Sequence, residues 1–274
     1  MTTINTNTSA LITQLAMKRN ERDATKAMEQ LATGKRINRA SDDAAGSAVV
    51  VKMNGIIKGL DQVTRNANDA IAMTETADGA LDGITNILQR MRELAVQAAS
   101  GTATNRDLSD VEFQSLKVEL GRIAENTELN DIKLLDGSSA QGDGFQFQVG
   151  TRRGQTITIR IPDFSTAGQM APVANSNILT SDAASSAISE IDAAIDNVLV
   201  ARADVGALVS RLRNTLNNLS TTTQNAQASR SEILDADYAL ATTELARTQV
   251  IQEAATAILA QANMTQQQVL KLLQ

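Results

Sequence analysis

Two aspartates two positions apart, Asp235 and Asp237, match the opening of a calcium-binding loop. Such a loop needs a glycine at its sixth position for a sharp turn and a glutamate at its twelfth to give the ion two oxygens. The sequence has Leu240 and Ala246 at these positions. We therefore predict no metal site here or elsewhere in the chain.

Two glycine-containing segments match phosphate-binding loops only in part. The glycine-lysine pair at 34–35 lacks the glycine expected five positions earlier, where Glu29 stands, and Arg36 replaces the hydroxyl residue that would hold magnesium. The segment 142–147 has Phe147 in place of the third glycine of a dinucleotide fingerprint. Neither segment predicts a nucleotide site, and we expect no cofactor.

The composition removes most catalytic schemes. The chain has no His and no Cys, so the usual proton carrier near neutral pH, the thiolate nucleophile and the common zinc ligands are missing. No pair of carboxylates stands in a recognisable pocket-forming context. We predict that the protein is not an enzyme.

Charge and hydropathy argue against nucleic acid and membranes as partners. A formal net charge of -6, with Lys and Arg spread along the chain, gives no basic footprint for nucleic acid. The first 17 residues carry no charge and lack the basic start and apolar core of a secretory signal. Residues 254–270 are interrupted too often by Gln, Asn and Thr to cross a bilayer. We expect no membrane insertion and no cleavable signal peptide.

The aromatic content of 2% and the apolar periodicity predict long helices. Steps of three and four from Met53 meet an apolar residue at every position except Thr74. The stripe consists of Met53, Ile56, Leu60, Val63, Ala67, Ala70, Thr74, Ala77, Leu81, Ile84, Leu88, Met91, Ala95 and Ala98. Asp43 and its neighbours predict the start of this helix, and Gly101 its end.

A second stripe is interrupted only at Arg202, which either extends out of the seam or forms half of a buried ion pair. It consists of Ile188, Ile191, Ile195, Val198, Arg202, Val205, Val209, Leu212, Leu216 and Leu219. Ser109 and Glu112 predict a capping box at the start of a shorter helix between the two.

The middle of the chain changes to a period of two. Alternating residues at 145–149 and 157–161, with glycines at 150 and 154 between them, predict a β-hairpin within 143–162. Both prolines follow, so residues 162–180 predict an irregular connection.

The two ends are poor in charge. Between Arg247 and Lys271 only Glu253 is charged, and steps of three and four give a weakly apolar stripe. This stripe consists of Ile251, Ala255, Ile258, Ala262, Thr265, Val269 and Leu272. Neither end is apolar enough to predict a stable isolated helix, so each needs a partner surface. Tyr238, the only tyrosine, either fixes the turn before the last helix through its hydroxyl or serves plain packing.

Four segments identify a family. They are LATGKRINRASDDAAG at 31–46, RNANDAIAMTETADGAL at 65–81, LQRMRELAVQAASGT at 88–102 and ILAQANMTQQQVLKLL at 258–273. These segments resemble the terminal regions of bacterial flagellins, and the resemblance covers about 1–137 and 183–274. SRSEILDADYALATTELAR at 229–247 falls where the family turns into its last helix.

The resemblance implies a mainly α fold. It consists of a long antiparallel helical bundle or coiled coil with a small β-hairpin and paired N- and C-termini. Residues 1–42 would form the N-terminal part of the filament-core domain and a connecting spoke, and 235–274 the C-terminal part of that domain. Residues 43–234 would form the helical bundle domain with the β-hairpin. The large outer domains of longer flagellins would be absent.

The resemblance also implies function and partners. The chain would be a secreted structural subunit that polymerises with itself into the extracellular flagellar filament for swimming motility. Its terminal segments would fold and pack between subunits on assembly. A flagellar export apparatus, an export chaperone and a filament cap are implied partners.

Two sets of candidate site residues follow from the resemblance. Intersubunit packing is expected at Ile4, Leu11, Leu15, Met28, Leu31, Ile251, Ala255, Ile258, Ala262, Val269 and Leu272. Contact with the vertebrate innate-immune flagellin receptor is implied at Arg90, Leu94 and Glu112.

Two alternatives stay open at this point. A hook-filament junction protein would share the terminal helices but would diverge within 88–102 and 229–273. An intracellular coiled-coil scaffold would fit the heptads, although such a protein would carry charges along its flanking positions.

Overall fold

The structure, a computed structural model, describes residues 6–102, 105–137 and 144–271. These residues form six helices: α1 (Thr8–Thr33), α2 (Ala44–Ala99), α3 (Arg106–Asn126), α4 (Ala171–Asn175), α5 (Ser181–Leu234) and α6 (Tyr238–Lys271). They also form four strands: β1 (Glu128–Leu129), β2 (Ile132–Lys133), β3 (Phe145–Gln148) and β4 (Thr156–Ile159). The expected mainly α fold with long packed helices and a small hairpin is confirmed.

Contacts divide the chain into two compact units. Unit 1 combines Met1–Ile57 with Asn225–Gln274, and unit 2 is Lys58–Gln224. Unit 1 contains α1 and α6, while unit 2 contains α3, α4 and the strands. The division at 42/43 and 234/235 that the sequence suggests stays a prediction.

Side chains fix both ends of α2. Asp43 is its N-cap, because its Oδ1 accepts a hydrogen bond from Gly46 N at 2.9 Å. At the other end Arg106 donates to Ala98 O at 2.8 Å, and Ser181 donates to Ala99 O at 2.8 Å. These donors satisfy carbonyls that the end of a helix leaves free.

The stripe predicted on α2 is buried from Leu60 to Ala98. Thr74 is buried with it, because its hydroxyl donates to Ala70 O at 2.6 Å and so needs no outside partner. The predicted start of the buried stripe is wrong, since Met53 is half-buried and Ile56 is exposed. Most of the buried stripe belongs to the main hydrophobic core, which lies in unit 2.

On α5 the buried seam is shifted from the predicted one. Ile191, Val198, Val205, Leu212 and Leu219 are buried as expected. The larger residues Ile188 and Ile195 are only half-buried, because the alanines that precede them, Ala187 and Ala194, occupy the interior. Small side chains there bring the helices together and leave larger neighbours at the edge.

Ion pairs follow the edge of the α2–α5 seam within unit 2. Arg202 bonds Asp78 at 3.0 Å and Asp82 at 2.8 Å, with 30% of its side chain exposed. It therefore combines the two alternatives, because it reaches out of the seam and is ion-paired. The hydrogen bond with Asp78 raises the pKa of Arg202 above its ordinary value.

Arg92 pairs with Asp192 and Arg213 with Glu75 along the same two helices. The partners advance along α5 as they recede along α2, as an antiparallel pairing requires. Exposed pairs of this kind contribute about 0–1 kcal/mol each, so they define the register more than they add stability.

The predicted capping box is wrong. Helix α3 begins at Arg106, and Ser109 lies inside its first turn, where its amide bonds Asn105 O. Glu112 instead reaches Arg90 on α2. A serine three residues before a glutamate also occurs inside helices, so the pattern alone does not locate a cap.

The predicted hairpin is confirmed. Strands β3 and β4 pair antiparallel, with Phe145 opposite Ile159 and Gln148 opposite Thr156. The irregular connection that follows contains the short helix α4, with Pro172 in its first turn. No described helix is long and apolar enough to cross a membrane.

A second, smaller hairpin was not predicted. Strands β1 and β2 are joined by Asn130 and Asp131, both with positive φ angles of 51° and 62°. Two such residues in succession are typical of a tight hairpin turn. The Asn130-Asp131 pair could have predicted this turn from the sequence, because both residue types tolerate positive φ.

The stripe on α2 provides a matched stability test. Leu81→Ala removes a fully buried side chain and is expected to lower the free energy of unfolding by about 2–5 kcal/mol. Ile56→Ala, in the same stripe but 49% exposed, is expected to cost about 0.5 kcal/mol or less. Urea denaturation of the soluble chain, followed by circular dichroism, measures both. Equal losses would contradict the assigned boundary of the core.

Candidate intersubunit surface

Two connectors join the helices of unit 1 and bond each other. Lys35 and Asp235 form a β-bridge, Arg36 N donates to Leu234 O at 2.7 Å, and Ala236 N donates to Gly34 O at 2.9 Å. We call residues 34–36 and 233–236 the connector clamp. Gly34 ends α1 with a φ of 68°, a conformation that suits glycine.

Side chains complete the connector clamp. The Arg36 guanidinium donates to Ile233 O at 2.7 Å and 3.2 Å, and so satisfies a carbonyl at the end of α5. Tyr238 Oη donates to Leu31 O at 2.9 Å, which confirms the interpretation that its hydroxyl fixes this turn.

The aspartates of the rejected calcium loop have structural partners. Asp237 Oδ1 accepts from Ala239 N at 2.9 Å and Leu240 N at 3.2 Å, so it caps the start of α6. Asp235 accepts a hydrogen bond from Ser231. Among the residues that the structure describes, no group of three or more His, Cys, Asp or Glu could hold a metal ion.

Helices α1 and α6 pack antiparallel through a seam of mostly small residues. On α1 the seam consists of Ala10, Thr13, Met17, Asn20, Ala24, Ala27 and Leu31. On α6 it consists of Ala241, Leu245, Thr248, Gln252, Ala255, Leu259 and Ala262. Both sets follow steps of three and four, as in a coiled coil.

The buried members of this seam are all Ala, Asn or Thr. The larger seam residues, Leu31, Leu245 and Leu259 among them, are only half-buried. Small side chains at the centre of a seam let two helices pack closely.

Two asparagines of α1 donate to carbonyls of α6. Asn20 is buried, and its Nδ2 lies 2.7 Å from Thr248 O and 3.2 Å from Gln252 Oε1. Asn7 Nδ2 lies 3.1 Å from Ala262 O, while its Oδ1 caps α1 by accepting from Ala10 N. These bonds satisfy polar groups inside the pair.

The residues expected at the intersubunit surface fall into three groups. Leu31, Ala255 and Ala262 lie in the seam of the chain itself. Leu11, Leu15, Met28, Ile251 and Ile258 lie outside the seam, each 38–59% exposed. Ile4 and Leu272 lie outside the described residues, as does the side chain of Val269.

Further large apolar side chains are exposed on the same two helices. Ile12, Leu240, Val250 and Met264 were missed by sequence reasoning, because the stripe search kept one apolar residue per step and discarded its neighbours. Together with the five exposed residues above, we call them the outer apolar residues. Ile12, Leu15 and Ile251 border a shallow groove of about 380 Å³.

The residues implied in receptor contact lie together in unit 2. Arg90 Nε is 2.9 Å from Glu112 Oε1, and Arg90 Nη1 is 2.9 Å from Glu93 Oε2. The hydrogen bond with Glu112 raises the pKa of Arg90 above its ordinary value. Leu94 is only 3% exposed and belongs to the main core.

Comparison with known proteins identifies the family. Models of the bacterial flagellin N-terminal and C-terminal helical regions match residues 4–140 and 188–273. A flagellin of Halalkalibacterium halodurans is 42% identical over 98% of this chain and 99% of that protein. A flagellin of Bacillus subtilis is 37% identical with the same coverage.

Solved structures are similar as well. A Bacillus cereus flagellin, 33% identical, covers 61% of this chain and 94% of its own, with a TM-score of 0.51. A flagellar hook-associated protein from Vibrio parahaemolyticus shares the fold, with a TM-score of 0.57, at 17% identity over 71% of this chain. From the family models and the full-length relatives, the chain belongs to the bacterial flagellin family.

Proposed function

We propose that this flagellin polymerises into the bacterial flagellar filament through the outer apolar residues of α1 and α6. The observation that carries the proposal is the division of the terminal pair, in which small residues fill the seam and large apolar residues face outward. Ile12, Leu15 and Ile251 also border one groove, and apolar side chains that are exposed together often mark an interaction site.

The energetics favour burial against neighbouring subunits. Removing a Leu, Ile or Met side chain from water contributes about 1.5–3 kcal/mol when it is complete. Several such residues are half-exposed on each chain, so repeated contacts between copies gain a large driving force. We propose the same packing for Ile4, Val269 and Leu272, while Leu31, Ala255 and Ala262 support the pair from within.

Folding of the ends is proposed to accompany assembly. The seam between α1 and α6 buries mainly Ala, Asn and Thr, and this contributes little compared with the Leu, Ile and Met core of unit 2. Neighbouring subunits would supply the missing apolar contacts. Contacts between different surfaces that do not close into a ring then produce an open helical polymer.

Filament assembly is favoured over the junction role. The relatives at 34–42% identity over nearly the whole chain are flagellins and flagellar filament proteins, whereas the hook-associated neighbour is 17% identical. A structural role without catalysis, in an extracellular filament, is consistent with that family. Export without a cleaved signal, by a flagellar export apparatus with a chaperone and a filament cap, is part of this proposal.

A second proposal concerns the free subunit. Arg90 and Glu112 are half-exposed and joined by an ion pair, so together they present a fixed charged surface. We propose that the vertebrate innate-immune flagellin receptor binds this surface. Leu94, which is buried, supports the helix beneath it.

The assembly proposal is tested by replacing Leu11, Leu15, Ile251 and Ile258 together with Gln. Because none of these residues lies in the seam, the variant is expected to retain the helix content of the parent under the same conditions. Its critical concentration for elongating filament seeds is expected to rise more than about tenfold, since apolar burial is lost at every contact.

The matched control replaces the same four residues with Met, which keeps them apolar. This variant is expected to elongate seeds almost as well as the parent. Sedimentation of the seeded reaction measures both chains. Unimpaired elongation by the Gln variant would show that the outer apolar residues do not drive assembly.

The receptor proposal is tested with Arg90→Ala, which should weaken binding of the monomer to the receptor ectodomain at least about tenfold, as expected for a central charged contact. Arg122→Ala is the control, because Arg122 is an exposed arginine in a similar local ion pair on α3. Equal binding by both variants, measured by surface plasmon resonance, would refute the assignment.

A further inference from the structure

Helix α6 contains two overlapping apolar stripes. The seam of the structure passes through Thr248, Gln252, Ala255 and Leu259, and it includes two polar residues. The stripe through Ile251, Ala255, Ile258 and Ala262 is more apolar, yet its two isoleucines remain exposed. The stripes share Ala255 and Ala262, so a rotation of α6 about its axis by roughly 50° would replace one stripe in the seam with the other. We call the rotational position of α6 about its own axis its phase.

Apolar burial alone favours the stripe that is not used. Burying Ile251 and Ile258 in place of Gln252 and Leu259 would remove more apolar surface from water. Only near the connector clamp is the observed phase also the more apolar one, because there Leu245 occupies the seam and Glu244 would replace it. Some interaction beyond residue 245 must hold α6 in the observed phase.

Asn20 lies where the two stripes diverge. Its amide donates to Thr248 O, a position that both stripes contain, and to Gln252 Oε1, a position that belongs only to the observed stripe. If α6 rotated, Gln252 would leave the seam and the buried amide of Asn20 would lose its side-chain acceptor. A buried polar group without its partner is strongly disfavoured, and buried asparagines select one pairing of helices in this way.

We propose that Asn20 and Gln252 are positioning residues that select the phase of α6 and thereby keep Ile251 and Ile258 exposed. In this phase Ile251 borders the same groove as Ile12 and Leu15. The polar pair trades some stability within the chain for an apolar surface outside it. The consequence for assembly rests on the proposed function, but the phase itself does not.

Disulfide formation between introduced cysteines can measure the phase of α6, because the chain contains no cysteine of its own. Asn7 contacts Ala262 across the antiparallel pair. Three residues after Asn7 lies Ala10, and three residues before Ala262 lies Leu259, so these two residues should face each other. A chain with Ala10→Cys and Leu259→Cys should therefore form an intramolecular disulfide in the observed phase. A chain with Ala10→Cys and Ile258→Cys should form one in the rotated phase.

Asn20→Ala with Gln252→Ala is introduced into both cysteine chains, because alanine removes the polar pair without making the observed stripe as apolar as the other one. We expect the yield of the 10–259 disulfide, divided by the yield of the 10–258 disulfide, to fall at least about tenfold. Both yields are measured on soluble and on polymerised full-length protein, and only bands at the mass of a monomer are counted, so that disulfides between subunits are excluded. Thermal stability of the helices should rise while seed elongation falls. A purely structural contact would not move stability and assembly in opposite directions.

Thr13→Val is the control, because Thr13 also lies in the seam but its hydroxyl donates to Ser9 O within α1. This variant should keep the disulfide ratio of the parent. Gln252→Ala alone, which retains the bond of Asn20 to Thr248 O, should give an intermediate ratio.

An unchanged ratio in the double-alanine chains would overturn the proposal. Loss of both disulfides together with helix content would overturn it too, since the polar pair would then hold the helices together rather than choose their phase. If the ratio shifts while elongation stays normal, the phase assignment is correct and the proposed assembly surface is wrong.

Discussion

The packing of α1 against α6 is the interaction on which the terminal part of this flagellin depends. Ala, Asn and Thr occupy its buried positions, and the amide of Asn20 donates to a carbonyl across it. Large apolar residues of the same two helices are exposed in the single chain. In the proposed filament, neighbouring subunits would cover them.

Unit 2 follows the opposite arrangement. Leu81, Ile84, Leu88 and Met91 of α2 are fully buried, and Phe113 and Phe164 join them. Ion pairs lie at the edge of this core, where partial exposure lowers their desolvation cost while they define the register. One chain thus combines a unit whose core buries large apolar residues with terminal helices whose buried seam residues are small.

The sequence predicted the helices of the chain well, and α2 best, because its stripe is long and has one apolar residue per step. On α5 and α6 the prediction was displaced by one residue. At 187–188, 194–195 and 251–252 two neighbouring residues compete for the seam, and periodicity selects the larger one. The structure places the smaller or more polar one inside. Contacts such as the hydrogen bond of Asn20 with Gln252 are not visible in a hydropathy pattern.

Local motifs were less reliable than periodicity. Ser109 and Glu112 have the spacing of a capping box but lie within α3, and the turn at Asn130 was overlooked although its residue types favour positive φ. For the proposed assembly site, the sequence pointed to residues of both terminal helices but could not separate Ala255, which packs within the chain, from Ile258, which is exposed. That separation needs the pairing of α1 with α6.

A structure of the assembled filament at side-chain resolution is the most direct measurement of the central claim. The account predicts that Leu11, Leu15, Ile251 and Ile258 become buried against neighbouring subunits, while Ala255 and Asn20 keep their partners within the chain. Outer apolar residues that remain exposed in the filament, or a seam rebuilt around Ile251 and Ile258, would contradict it.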